Sequence, residues 1–172
     1  KDTDNIAEVV GKDTDHNEVL GVDKIMEARF LLPFMESGIA KNFVNGSLAV
    51  DHTRAIKEAE EIEFMRRSSR INDEAMEQFK HLIHDGVSEE EVASKTLAIY
   101  QSLGAEDFSF EPIVAFGVNA ADPHHMPDGT VLKEGDTVLF DVGCKYHGYC
   151  SDMTRTFFYK KAPTEEQVKV YN

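Results

Sequence analysis

Near its end the chain carries a run of alternating residues, VLFDVGCKYHGYCSDMTRTF (138–157), that constrains it to a β-hairpin. The first arm covers 138–143, the second 150–158, and residues 145–148 supply the turn, with Gly148 free to take positive φ. Side chains alternate along a strand. An even-numbered loop then sets Asp141 opposite Asp152, Leu139 opposite Thr154 and Thr137 opposite Thr156, and gathers Val138, Phe140, Val142, Met153 and Phe157 on the other face. Directly opposed residues have Cβ atoms ~5 Å apart, where two carboxylates repel unless one holds a proton or a cation sits between them. A divalent metal satisfies both charges. Spacing alone favours the plainer reading of two hairpin aspartates on a solvated face.

The rest of the chain reads as mixed α and β. Residues 54–84 form a long helix with Ile56, Ile62, Met65, Ile71, Ala75, Phe79, Leu82 and Ile83 near one stripe, closed by Gly86. Ser88 and Glu91 make a capping box for a second helix, which stops at Gly104. A strand follows at 113–116, and a loop rich in Asn, Asp and Pro, 118–129, leads to the hairpin. Before residue 52 lie a possible strand at 5–10, an apolar patch at 18–22 and a helix over 23–37 with Ile25, Met26, Phe30, Leu31 and Phe34 at helical spacing.

Most histidines carry little argument. His81 and His84 share a helix face at a spacing that can ligate metal, but without a carboxylate or cysteine partner a solvated face is the better reading. His16 and His52 sit in loop-like contexts. His124 and His125 follow one another, so alternation points their rings apart. His125 is open between a substrate contact, a supporting group and a plain loop residue.

The stretch LKEGDTVLFDVGCKYHGYCSDMTRTF (132–157) resembles the hallmark region of the pita-bread metallopeptidases, in the wording of their Xaa-Pro branch: prolidase (Xaa-Pro dipeptidase) and aminopeptidase P. EPIVAFGVNAADPHHMP (111–127) is similar to the family's strand and loop ending in an active-site histidine, and RAIKEAEEIEFMRRSSRINDEAM (54–76) to its first catalytic-domain helix. The resemblance implies an α+β pita-bread (creatinase/aminopeptidase) fold, its N-terminal half at 52–172, preceded at 1–51 by the tail of a smaller α/β domain. It implies two divalent metal ions, with Asp141 chelating one and Asp152 bridging both, Mn favoured by the carboxylate-rich set over Co, Zn or Fe. His124 becomes the catalytic and substrate-binding histidine outside the metal shell, and Thr154 and Arg155 support the ligands. The family's remaining ligands, a histidine and two glutamates, come from far downstream.

The chain is therefore expected to be a piece of a longer protein. Thr164 and Gln167 make a capping box whose helix has barely two turns before Asn172. The expected function is hydrolysis of Xaa-Pro bonds in dipeptides or peptide N-termini, by a homodimer. A non-catalytic pita-bread module that binds a protein partner, and a creatinase-like amidinohydrolase, are the alternatives, and retention of Asp141, Asp152 and His124 weighs against both.

Composition fits this reading. A net charge of −14, with 18 scattered Lys and Arg, argues against nucleic acid. No stretch is apolar and long enough for a membrane span. Cys144 opposes Tyr149 rather than Cys150 in the register above, so both thiols are expected reduced, with a cytoplasmic home.

Overall fold

The computed structural model describes residues 5–171. The chain divides into two compact units, Lys1–Lys57 and Glu58–Asn172.

In the first unit α1 (Ile6–Val10) is a helix where a strand was expected, because the Asn5 side chain accepts the Ala7 backbone N–H (3.1 Å) and caps it. The apolar patch is β1 (Val19–Val22). The helix expected from residue 23 begins later, as α2 (Ala28–Ser37): the Asp23 carboxylate instead accepts the Ile25 N–H (2.8 Å) and closes a turn. Strand β2 (Asn42–Asn45) pairs parallel to β1, and α3 (Ser47–Ala55) follows. Ala7, Phe34 and Ile39 form the small core.

The second unit opens with α4 (Ala59–Lys80) and α5 (Glu89–Ser102). The single helix expected over 54–84 is broken, since Ile56 is extended and ends α3, and a new N-terminus forms where the Glu61 carboxylate accepts the Glu58 N–H (2.6 Å). Ile56 is 82% exposed and outside the core stripe, which runs instead through Ser68, Ile71, Asn72, Ala75, Met76 and Phe79. His81 and His84 lie past the end of α4 and are exposed. In α5 the Ser88 hydroxyl accepts the Glu91 N–H (3.2 Å), while the Glu91 carboxylate turns to Lys95 (2.6 Å), so half of the capping box forms.

Six strands make two small sheets. Strand β3 (Asp107–Phe108) pairs with β6 (Cys144–Tyr146), which pairs with β7 (Tyr149–Cys150); β4 (Ile113–Phe116) pairs with β5 (Thr137–Val142), which pairs with β8 (Met153–Phe158). All these pairings are antiparallel. The hairpin is thus one ribbon shared between two sheets, with β5 central in its own. Its turn is the two residues His147 and Gly148, with φ of 48° and 80°, between paired Tyr146 and Tyr149. The shorter turn displaces the register by two residues from that expected: Asp141 faces Thr154, Leu139 faces Thr156 and Thr137 faces Phe158. Tyr149, expected opposite Cys144, faces Tyr146, and Cys150 faces Lys145, so the cysteines are not opposed and both are free. A two-residue shift keeps every side chain on its expected face. The final helix, α6 (Glu165–Tyr171), carries both expected capping bonds, Thr164 N–H to Gln167 (2.7 Å) and Gln167 N–H to the Thr164 hydroxyl (3.2 Å).

The apolar side of the ribbon builds the core. A series of rings crosses it from sheet to sheet: Phe157 stacks on Phe140, Phe140 on Phe79, and Tyr100 meets both Phe79 and Phe108 edge-on, with centroids 5.2–6.0 Å apart. Within this core α4 supplies polar ties. Asn72 donates to the Val142 carbonyl (3.2 Å) and Ser68 to that of Cys144 (3.0 Å), while the Tyr100 hydroxyl donates to Asn72 (2.6 Å). Burial pushes the Tyr100 phenol far above its ordinary pKa, so it remains a donor. Tyr100→Phe is expected to strand the buried Asn72 carbonyl and cost about 1–3 kcal/mol in urea unfolding; a change within error would show that the network does not stabilise the fold.

Candidate active site

Asp141 lies on the central strand, on the face away from the core, flanked by Ile113 on β4 and Thr154 on β8. The Thr154 hydroxyl donates to Asp141 Oδ1 (3.1 Å), so this expected supporting residue holds the carboxylate directly. Arg155 instead pairs with Phe140 and donates to the Thr154 carbonyl (2.9 Å).

Asp152 stands one step beyond β8. Continuing the register places it across from Gly143, diagonal to Asp141 and, by alternation, on the same side. Opposite residues on that side are therefore Asp141 and Thr154, and the direct aspartate pair expected is replaced by a diagonal one. Asp152 is exposed, and among the described residues its carboxylate has no hydrogen bond or ion pair. Its backbone is fixed at the point where the ribbon leaves one sheet for the other. The Ser109 hydroxyl donates to the Ser151 carbonyl (2.7 Å), Ser109 N–H to the Gly143 carbonyl (3.1 Å), and Ser151 N–H to that of Cys144 (2.9 Å). These approaches demand a glycine: a Cβ at 143 would lie 2.0 Å from the Ser151 carbonyl oxygen and 2.1 Å from the Ser109 hydroxyl.

The loop after β4 begins with a 3-10 turn, Gly117–Ala121, and folds over the Asp141 face. Ala120, Ala121, Asp122 and Pro123 join Ile113, Leu139, Asp141 and Thr154 around a cavity of ≈ 250 Å³. His124 follows this wall immediately. Its backbone N–H is held by the Asp122 carboxylate (2.9 Å), and the residue is exposed. The fold thus brings Asp141, Thr154 and the segment leading into His124 together.

Where His124 is exposed, the next residue, His125, is mostly buried in its side chain. Its Nε2 lies 2.6 Å from Glu89 Oε2, and the Glu89 side chain is wholly buried. Glu89 also accepts the Asp128 N–H (3.2 Å) on Oε2, and the Phe116 N–H (2.6 Å) and Asn119 Nδ2 (3.0 Å) on Oε1. Glu89, His125 and Asp128 offer ligand atoms all within 4.8 Å of one another, a donor set of a kind that can hold a cation. Three N–H groups already donate to the Glu89 carboxylate, however, and the His125 ring nitrogen lies within hydrogen-bonding distance of it, so the group has the form of a hydrogen-bonded clasp. The Asp128 carboxyl, at the exposed edge of this group, is held below the usual range first by the hydroxyl and N–H of Thr130 and then by the nearby His125. Sequence reasoning did not find Glu89, which reads as one of three acidic residues opening α5; its burial was the only signal and is visible only in three dimensions.

The ribbon thus carries Asp141 beside a cavity closed by the loop after β4, and comparison with known proteins identifies the family. Residues 63–172 match the model of metallopeptidase family M24. The chain belongs to that family and has its pita-bread fold. It is similar to prolidase from Thermococcus sibiricus (35% identity, TM-score 0.86, 99% of this chain and 47% of that one) and to Xaa-Pro dipeptidase from Bacillus anthracis (30%, 0.87, 98% and 48%). An uncharacterized peptidase of Staphylococcus aureus is 35% identical over 131 residues, 76% of this chain and 37% of the relative. The chain spans about half the length of those solved structures and just over a third of that relative.

Gly143→Ala is expected to destabilise the second unit by at least about 2 kcal/mol. Adding Ser109→Ala should not restore it, because the closer clash is with backbone. Rescue by the double variant, followed by thermal unfolding, would locate the strain at Ser109 instead.

Proposed function

We propose that this chain carries part of the active site of a metal-dependent peptidase that hydrolyses Xaa-Pro bonds of dipeptides or peptide N-termini. The observation that supports it most is the shared cavity, in which the Asp141 carboxylate and the Asp122–Pro123 segment before His124 line one groove. The proline-directed names of the structural neighbours support the substrate class. Residues 1–51 are read as the end of a preceding domain, and the assembled enzyme as a cytoplasmic homodimer, both from the resemblance. Among the described residues no helix is long and apolar enough to cross a membrane.

The donors fit a metal pair. Asp141 and Asp152 are hard oxygen ligands on one side of the ribbon, one oriented by Thr154 and the other with its carboxylate unengaged. They would hold two divalent ions, Mn being favoured, together with ligands from elsewhere in the enzyme. When bound, such ions supply an activated water at neutral pH and a polarised carbonyl. The protein's own share is positional. Thr154 fixes the Asp141 oxygens, the cavity beside them takes the substrate's flank, and His124 stabilises the oxyanion of the tetrahedral intermediate or holds the substrate, a contribution of a few kcal/mol in comparable sites.

Two outcomes test the reading. The isolated 172-residue chain holds two of the five ligands implied by the resemblance, so it should bind divalent metal weakly and not turn over Gly-Pro; measurable hydrolysis would refute that ligand count. In the enzyme with its full ligand set, Asp152→Asn should empty the metal site and abolish activity, whereas His124→Ala should keep the metal and slow kcat about 10²–10³-fold. Elemental analysis beside the rates decides, and loss of metal in His124→Ala alone would reverse the roles.

A further inference from the structure

The role given to His124 poses a positional problem that the metal ligands do not solve. His124 sits on an exposed stretch of the loop between β4 and β5, and one short polar side chain, Asp122, holds its backbone N–H. A catalytic ring must keep its place to within a fraction of an ångström, and ordering such a loop costs conformational entropy at each residue. The loop needs an anchor of fixed geometry.

Glu89 has the form of that anchor. A buried carboxylate is costly unless its oxygens are engaged, and here every engagement comes from the loop or its ends. Phe116 N–H stands where β4 ends, Asn119 in the 3-10 turn, His125 next to His124, and Asp128 N–H on the return toward β5. Backbone bonds from Glu89 N–H to the Thr130 carbonyl (3.2 Å) and Glu90 N–H to that of Asp128 (3.0 Å) close the base of the loop on α5. With N–H donors converging on both its oxygens, Glu89 is the acceptor and the His125 ring presents its proton at Nε2. His125 is 13% exposed in its side chain, and its ring turns into the protein while its neighbour stands outside.

We infer that Glu89 and His125 are positioning residues that fix His124 against the Asp141 face. His125 is the lever of the pair, since its bond to Glu89 is made one residue from the reacting ring. The inference rests on the peptidase reading above and on the role given there to His124.

The test is a double-mutant cycle in the metal-loaded enzyme with its full ligand set, with metal content and amide hydrogen exchange as independent readouts. His125→Ala should leave metal content unchanged, speed exchange at residues 117–130 and lower kcat about 10–100-fold with little change in KM. His125→Gln, which can return an N–H to Glu89, should recover most of the loss. In a His124→Ala background, His125→Ala should cost less than about threefold more, because its effect passes through the missing ring. Additive losses in the double variant, or a full rate in His125→Ala beside a slow His124→Ala, would overturn this inference alone. A full rate in His124→Ala would overturn the catalytic assignment and the inference with it.

Discussion

Val138, Phe140 and Val142 are each wholly buried on one side of β5, and the residues between them face the other way. Each is worth about 1.5–3 kcal/mol when removed from water. A slip of one residue would expose all of them and bury Asp141, at a cost comparable with the whole stability of a domain. The rings of Phe157, Phe140, Phe79, Tyr100 and Phe108 carry the same commitment through α4 and α5 to the second sheet. The direction of the Asp141 carboxylate is therefore a product of core packing at a distance from any ligand.

Apolar packing fixes the face of the ribbon, but not where it parts. That is done by polar atoms. Val142 and Cys144 bracket the point where β5 gives way to β6, and their carbonyls receive Asn72 and Ser68 from α4. On the other arm Ser109 takes the Ser151 carbonyl, and Gly143 leaves space for both. Among the described residues no buried side-chain nitrogen or oxygen lacks a partner, and such satisfied networks specify one arrangement over its near neighbours. Asp152 follows Ser151 directly, so its backbone inherits the precision of this junction while its side chain stays open to solvent.

The faces of the hairpin, the strand at β4, the start of α5 and the α6 cap were legible because each is written in local periodicity or a capping pair. Register was not. Placing Asp152 or Thr154 across from Asp141 gives the same alternation, and the choice turns on whether His147 accepts positive φ, which it does at 48°. The break before α4 was hidden for a related reason: Ile56 matches the apolar stripe but takes an extended backbone. At α1 the apolar pattern fits strand and helix alike, and the deciding signal was the Asn5 cap. Asp141 stood out in its motif, yet the cavity that sets it beside Asp122 and Pro123 depends on how the loop folds back. Glu89 was the least legible of all, since nothing in a run of three glutamates tells which one turns inward.

Glu89 also acts as a ruler. Its four donors fall at residues 116, 119, 125 and 128, and each must arrive at one of two oxygens about 2.2 Å apart, a spacing set by the carboxylate's own covalent geometry. Inserting or deleting a residue within any of these intervals would carry at least one donor away from its oxygen, whatever the inserted side chain. Outward positions such as Val118 and Met126, exposed by 88% and 61%, meet no such demand. Across descendants of this sequence, the loop is thus free to change its letters and bound to keep its count.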